Sequence, residues 1–183
     1  GYAFNLRGWF DSFTIRSCSI CNGATHGIYY EGPAFRNNCV PVIEHCDFYG
    51  NSGSGIRAGY NNGFIIRNCS FVNNREYGFQ RNDGYYSPMI LENNLFYGNV
   101  AGLKRGGYPD NPLYLSAAAL NAAQPILPAG YVPRAYTNNV DLAPLYVNAV
   151  SWDFTVLYAG SGLTNRATDG GHIGVCQNPV IID

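Results

Sequence analysis

Aromatic and basic residues recur at one place in a repeated pattern, directly after a glycine and an apolar residue. Four such Gly-apolar steps are each followed by two residues that are mostly aromatic or basic. Tyrosine rings can stack on sugar rings, and cationic side chains can pair with carboxylates or sulfates. The alternative is a solvated face that binds no ligand. The pattern favours a carbohydrate-contacting face formed by Tyr29, Tyr30, Arg57, Arg81, Lys104 and Arg105.

Catalytic chemistry has weaker support in the sequence. A polysaccharide lyase needs a base near a uronate carbon and a cation for its carboxylate, roles that Arg57, Arg81 or Lys104 could fill. A glycoside hydrolase needs two carboxylates about 5 to 9.5 Å apart. Glu44 and Asp47 lie three residues apart on one predicted strand and should point to opposite faces. Enzyme activity therefore stays open, and a polysaccharide lyase is the class that fits best.

Six cysteines could indicate either zinc or a packed column of thiols. Cys18, Cys46 and Cys69 occupy one repeat position, which a single four-ligand metal site does not explain. A free cysteine behaves as a small hydrophobic residue. We therefore predict a buried thiol column, with no metal and no cofactor. One disulfide within the column is geometrically conceivable, since neighbouring coils lie about 4.8 Å apart.

A repeat must position all of these side chains. Its anchor residues are spaced by 28, 23 and 25 positions, and each unit contains short alternating strands separated by Asn and Gly turns. Such units bury their apolar faces only by stacking, so the pattern predicts an all-β solenoid, a parallel β-helix. The anchors are Cys18, Cys46, Cys69 and Asn94; the apolar columns are Ile15/Ile43/Ile66/Leu91, Ile20/Phe48/Phe71/Phe96 and Ile28/Ile56/Phe79/Leu103.

Two polar columns accompany the apolar ones. Charges of alternating sign occupy one outward position, where opposite charges on neighbouring strands stabilise the register. Asparagines occupy a turn position, where their amides can bond to backbone groups and to each other. Both columns are interpreted as structural: Arg16, Glu44, Arg67 and Glu92 for the charges, and Asn51, Asn74 and Asn99 for the turns.

The repeated x-Ile-x-x-Cys/Asn-x-Phe-x-x-Asn…Gly-Ile units resemble the right-handed parallel β-helix proteins of the pectin lyase-like superfamily. The C-terminal part is similar to the closing coils of bacterial and phage β-helix proteins, in residues 141–149, 152–157, 160–163 and 171–175. The resemblance implies a right-handed solenoid with coils of about 23–28 residues. That superfamily contains polysaccharide lyases, glycoside hydrolases, epimerases, phage tailspikes and inert surface fibres, so the fold does not decide the function.

The repeat divides the chain into three parts. Residues 1–103 are predicted to form β-helix coils, and residues 139–183 the closing coils with a C-terminal cap. Between them, residues 104–138 read as an excursion loop with a short helix that Ser116 caps. The first residue is glycine rather than methionine, and we expect the sequence to be the C-terminal part of a longer chain.

Composition narrows the function classes. The chain has 11 Lys and Arg against 12 Asp and Glu, which argues against a nucleic-acid partner. No apolar run reaches the roughly 18 residues of a membrane span. We expect an extracellular or virion-surface module, as in a phage tail or cell-surface fibre, that contacts a polysaccharide or cell-surface glycan as a homo-oligomer, such as a trimer, or in a larger assembly. The alternatives are a polysaccharide lyase or hydrolase acting on an acidic glycan, and a purely structural assembly protein.

Overall fold

A computed structural model describes residues 2–7, 13–31, 40–59, 64–81, 89–105, 113–123, 134–148, 153–156, 167–169 and 173–174. Within them, short strands stack into three mainly parallel sheets. The first sheet contains β1 (Phe4–Arg7), β4 (Ile28–Glu31), β7 (Ile56–Ala58), β10 (Tyr77–Arg81), β13 (Ala101–Arg105) and the antiparallel β14 (Leu113–Tyr114). The second contains β2 (Thr14–Arg16), β5 (Val42–Glu44), β8 (Phe64–Arg67), β11 (Met89–Glu92) and β15 (Arg134–Thr137). The third contains β3 (Ser19–Cys21), β6 (Asp47–Tyr49), β9 (Ser70–Val72) and β12 (Leu95–Tyr97).

Strand register confirms the three predicted apolar columns. Equivalent residues of successive coils pair directly, as Ile15 does with Ile43. In the third sheet the rings of Phe48, Phe71 and Phe96 stack nearly parallel, with centroids 4.8 and 5.1 Å apart. These separations match the spacing of neighbouring strands, about 4.8 Å. The buried core draws on all three sheets, so the predicted parallel β-helix is confirmed.

Left-handed residues mark the corners on both sides of the third sheet. L-residues rarely adopt positive φ, but Asn, His and especially Gly tolerate it better than most. The abundant Asn and Gly of the repeat therefore have a conformational cause. The corner before the third sheet uses Ser17, His45, Asn68 and Asn93, with φ from 50° to 56°; the corner after it uses Asn22, Gly50, Asn73 and Gly98, with φ from 52° to 67°.

The Gly-apolar steps have a different cause, which is lack of space. A Cβ atom on Gly55 would lie 2.8 Å from the carbonyl oxygen of Gly78 and 2.8 Å from a ring carbon of Phe71. Real Cβ atoms essentially never approach other atoms so closely. Glycine at this step lets the aromatic column pack directly against the backbone of the first sheet.

The predicted asparagine ladder is confirmed. The side-chain amide of Asn51 donates to Asn74 Oδ1 at 2.8 Å, and that of Asn74 donates to Asn99 Oδ1 at 2.9 Å. Each asparagine also donates to a backbone carbonyl of the preceding coil, for example Asn74 to Phe48 at 3.0 Å. The ladder thereby satisfies buried polar groups that the strands leave open.

A second ladder was not predicted. Asn94 Nδ2 donates to Asn139 Oδ1 at 3.2 Å, and Asn139 Nδ2 donates to Asn121 Oδ1 at 2.8 Å. Asn121 lies on the only described helix, α1 (Ala117–Ala122), which begins after the predicted N-cap, Ser116. The helix thus ends this ladder. Within the described part of the chain, no helix is long and apolar enough to cross a membrane.

The coil pattern resumes earlier than the sequence suggested. Strand β15 pairs with β11 from Arg134 onward, inside the segment that we expected to be an excursion loop. Tyr136, only 1 % exposed, continues the column of Leu91, and Asn139 continues that of Asn94. At Tyr136 an aromatic ring therefore replaces the aliphatic side chains of the earlier coils. At Asn139 an amide stands in the column that begins with cysteines.

The C-terminal part differs from the predicted closing coils. Val140 still forms a parallel bridge with Leu95, but β16 (Tyr146–Asn148) and β17 (Asp153–Val156) pair antiparallel. Tyr146 and Ile173 pack beside Val72 and Leu95. The outer face of the third sheet carries Ser70 beside these apolar residues, and the Ser70 hydroxyl lies 2.8 Å from that of Tyr146. The chain thus covers this face laterally through apolar and polar contacts, and it adds no further coil in the described residues.

Candidate functional site

The predicted carbohydrate face is divided between the two sides of the first sheet. Consecutive strand residues point to opposite faces. Tyr30 is fully buried, with its ring 6.0 Å from that of Phe64, and Arg81 is 1 % exposed. Tyr29 and Arg57 instead belong to the adjacent, outward column. The expectation that all these side chains share one exposed surface is therefore wrong for Tyr30 and Arg81.

The other two predicted site residues can be placed only by register. On β13, Lys104 pairs with Gln80 and Arg105 pairs with Arg81. Lys104 therefore holds a position in the column of Arg57, and Arg105 one in the column of Tyr30. The side chains of Lys104 and Arg105 lie outside the described part of the structure.

Three rings form what we name the aromatic patch: Tyr2, His26 and Tyr29. The rings of Tyr2 and Tyr29 stack with centroids 4.8 Å apart and planes 15° apart, and His26 stacks 6.2 Å from Tyr29. The guanidinium carbon of Arg57 lies 5.8 Å from the centre of the Tyr29 ring, within cation–π range. Tyr2 is 37 % exposed, so the patch is open to solvent on its side.

A polar network surrounds His26, the buried ring of the patch. Nδ1 of His26 accepts the backbone N–H of Ser54 at 2.9 Å, and Nε2 lies 3.3 Å from Nη1 of Arg57. Ser54 Oγ donates to Glu76 at 3.3 Å. Burial lowers the pKa of His26, the charge of Arg57 lowers this pKa further, and Glu76 opposes the shift. The site therefore holds a neutral imidazole beside a cation.

Sequence reasoning did not select Tyr2 or His26 for this site. His26 directly precedes a Gly-apolar step, at the position that Ser54 holds in the next coil. A titratable imidazole at this repeat position was the one sequence feature that could have indicated a role for His26 in the site. Tyr2 lies 27 positions before Tyr29, and only the stacking of β1 on β4 brings their rings together.

The predicted charge ladder is present on the second sheet as ion pairs from Arg16 to Arg67, and Glu92 is aligned with Arg67 in the strand register. Glu44 is 4 % exposed and lies between two arginines, with Arg16 Nε 2.6 Å from Oε1 and Arg67 Nε 2.8 Å from Oε2. Burial alone would raise the pKa of Glu44, but the hydrogen bonds and charges of both arginines outweigh burial and lower this pKa. Glu44 thus joins three coils as a paired anion.

An open cleft of about 690 Å³ adjoins this ladder. His45 Nε2 lies 3.2 Å from Asp169 Oδ2, and Asn68 exchanges two hydrogen bonds with Thr168 at 2.8 and 2.9 Å. The polar side chains of His45 and Asn68 on this side of the cleft therefore bind the turn at residues 167–169. The cleft is lined by Arg16, Glu44, His45, Arg67, Asn68, Thr168 and Asp169.

The predicted thiol column is buried at two of its three positions, because Cys18 is only half-buried. Cys46 and Cys69 are fully buried, and each thiol donates to a backbone carbonyl at 3.3 Å. Burial raises the pKa of Cys69 well above its usual value. Among the cysteines that the structure describes, Cys18, Cys21, Cys46 and Cys69, none forms a disulfide, and the described part contains no cluster of metal-ligating residues. Cys39 and Cys176 lie outside it.

Comparison with known proteins agrees with this architecture. A search of curated proteins finds no match to the sequence. A family model described as "right handed beta helix region" matches residues 2–114, which is more than half of the chain. The matched region includes the four successive coils whose parallel strands stack in register. The chain therefore belongs to the right-handed β-helix family.

Proposed function

We propose that this β-helix is a surface module that contacts carbohydrate through the aromatic patch. The observation that carries the proposal is the solvent-open stack of Tyr2 on Tyr29, with Arg57 beside it. Flat aromatic rings provide large, rigid contact area, and the guanidinium supplies charged hydrogen-bond donors. Together they suit a sugar ring, which offers an apolar face and polar edges.

The proposal includes the setting expected from the sequence. The module acts outside the cell or on a virion, as part of a phage tail or a surface fibre, and its partner is a polysaccharide or cell-surface glycan. Assembly as a homo-oligomer, such as a trimer, would present several copies of the patch. A stacked repeat supports this role because it forms an extended lateral surface on a rigid core.

A glycan array followed by calorimetric titration of the strongest hit tests the proposal. Tyr29→Ala should weaken binding about fivefold at any salt concentration, since a ring-stacking contact contributes about 1 kcal/mol. The matched control is Tyr97→Ala, which removes a tyrosine that is 44 % exposed on the third sheet. This control should bind like the wild type.

Two results would contradict carbohydrate contact at this patch. One is an array without any hit. The other is an equal loss of affinity in Tyr29→Ala and Tyr97→Ala. A patch covered by a neighbouring subunit would instead favour the structural assembly protein, and release of unsaturated sugars would favour the lyase.

A further inference from the structure

The hydrogen bonds of His26 determine where its proton lies. Nδ1 accepts the backbone N–H of Ser54 at 2.9 Å, so its lone pair is engaged and it carries no proton. A neutral imidazole has one N–H, and here it must be on Nε2. The lowered pKa of the buried His26 agrees with a neutral ring.

Two hydrogen-bond donors therefore face each other beside the aromatic patch. Nε2 of His26 is 3.3 Å from Nη1 of Arg57, and a guanidinium has donors but no acceptor. Nε of Arg57 is also buried, and no described residue accepts its proton. An oxygen that accepts from both residues would satisfy donors that the protein leaves facing one another, and a negative charge would strengthen both bonds.

The neighbouring acid does not fill this position. Glu76 Oε2 accepts from Ser54 Oγ at 3.3 Å and lies 4.0 Å from Nδ1 of His26, on the nitrogen that Ser54 already occupies. The two donors adjoin the stacked rings: the guanidinium carbon of Arg57 lies 5.8 Å from the centre of the Tyr29 ring, and the ring of His26 lies 6.0 Å from that of Tyr2. An oxygen that accepts from both donors must lie beside the pair, and an acidic substituent of a sugar that contacts these rings would supply it.

We propose that Nε2–H of His26 and the guanidinium of Arg57 form an anion subsite that selects sugars bearing a carboxylate or a sulfate. The inference rests on the proposed function and names the class of sugar. Neutral sugars can stack on the patch, but they leave the two donors without an anionic partner. Selectivity therefore comes from the subsite, and the stacking contact is shared by all sugars.

Matched oligosaccharides test the subsite. The probes are a glucuronate tetrasaccharide, the same tetrasaccharide with its carboxylates reduced to alcohols, and a sulfated form of the reduced one. The wild type should bind the uronate or the sulfated probe about tenfold or more tightly than the reduced probe, because charged hydrogen bonds are the strong ones. A gain with the uronate alone assigns a carboxylate ligand, and a gain with the sulfated probe alone assigns a sulfate.

Variants locate the preference. Arg57→Gln and His26→Phe should bind all three probes with the affinity that the wild type shows for the reduced one. The control Arg16→Gln makes the same charge change on the second sheet and leaves Glu44 paired with Arg67, so it should keep the preference. If His26→Phe does not fold, ¹⁵N NMR of the wild-type ring provides the test. It should show a proton on Nε2 only, and the Nε2 resonance should move when the anionic probe is added.

The outcomes separate this inference from the proposed function. Equal affinity for the anionic and the reduced probes overturns the subsite and leaves carbohydrate contact intact. A preference that survives in both variants, or a proton found on Nδ1, also overturns it. If the wild type binds none of the three probes and no glycan of the array, the proposed function fails and the subsite fails with it.

Discussion

Replacing Asn74 by alanine should be among the most damaging polar substitutions in this protein. Asn74 is 1 % exposed. Its Nδ2 donates to Phe48 O at 3.0 Å and to Asn99 Oδ1 at 2.9 Å. Its Oδ1 accepts the backbone N–H of Asn51 at 3.3 Å and the side-chain amide of Asn51 at 2.8 Å. Asn74→Ala removes four hydrogen bonds at once.

The size of the loss follows from the burial of the partners. Asn51 and Phe48 are fully buried, so three of the four partner groups cannot turn to water. Leaving a buried polar group unsatisfied costs about 1–3 kcal/mol, and the low end for three groups gives about 3 kcal/mol. The free energy of unfolding of a typical domain is only about 5–15 kcal/mol, so this loss is a large fraction of the stability.

The same substitution at the end of the ladder provides the comparison. Asn99 donates to Phe71 O at 2.7 Å and accepts the side-chain amide and the backbone N–H of Asn74, both at 2.9 Å. Its own side chain is only half-buried, so water can enter the space that alanine leaves and bond to the three partner groups. Asn99→Ala should therefore cost less than Asn74→Ala, about 1 kcal/mol. Urea unfolding followed by circular dichroism measures both losses, and amide exchange at Asn51 reports the local effect. Equal losses at the two positions, or unchanged exchange at Asn51 in Asn74→Ala, would refute the reasoning.

Two further predictions concern pH and metal. The pKa of His26 is lower in the folded state than in the unfolded state. As the pH drops below about 6.5, the unfolded state therefore binds a proton before the folded state does. The free energy of unfolding should fall over this range. Urea titrations from pH 8 to pH 5 should show this fall, and His26→Gln should reduce it; an identical slope in the variant would contradict the assignment. Metal analysis should find no stoichiometric zinc, and Cys46→Ala should cost at most about 3 kcal/mol by unfolding. One zinc per chain that disappears in Cys18→Ser would show that the thiol column is a metal site.

Part of the candidate site was within reach of sequence reasoning. Ile28 and Phe79 lie in one apolar column that faces inward, and the two-residue period of a strand places Tyr30 and Arg81 on the same side. Applying that period would have separated them from Tyr29. Arginine is rarely fully buried, so the residue type at position 81 gives no indication of the inward position that the strand period assigns to it. Its burial is a property of this fold that composition does not reveal.

The amino-acid sequence by itself determined the coils, the apolar columns, the asparagine ladder from Asn51 to Asn99 and the N-cap of α1. These features depend on the alternation of apolar and polar residues, on the residue types at turns and on the repetition of one unit. All three can be recognised in the amino-acid sequence without knowing how distant segments pack. Only the tertiary structure decided the stack of Tyr2 on Tyr29, the contact of His26 with Arg57 and the packing of Tyr146 beside the third sheet. These contacts join coils of unequal length or a segment that does not repeat, so their geometry depends on how the coils pack laterally and not on the period of the sequence.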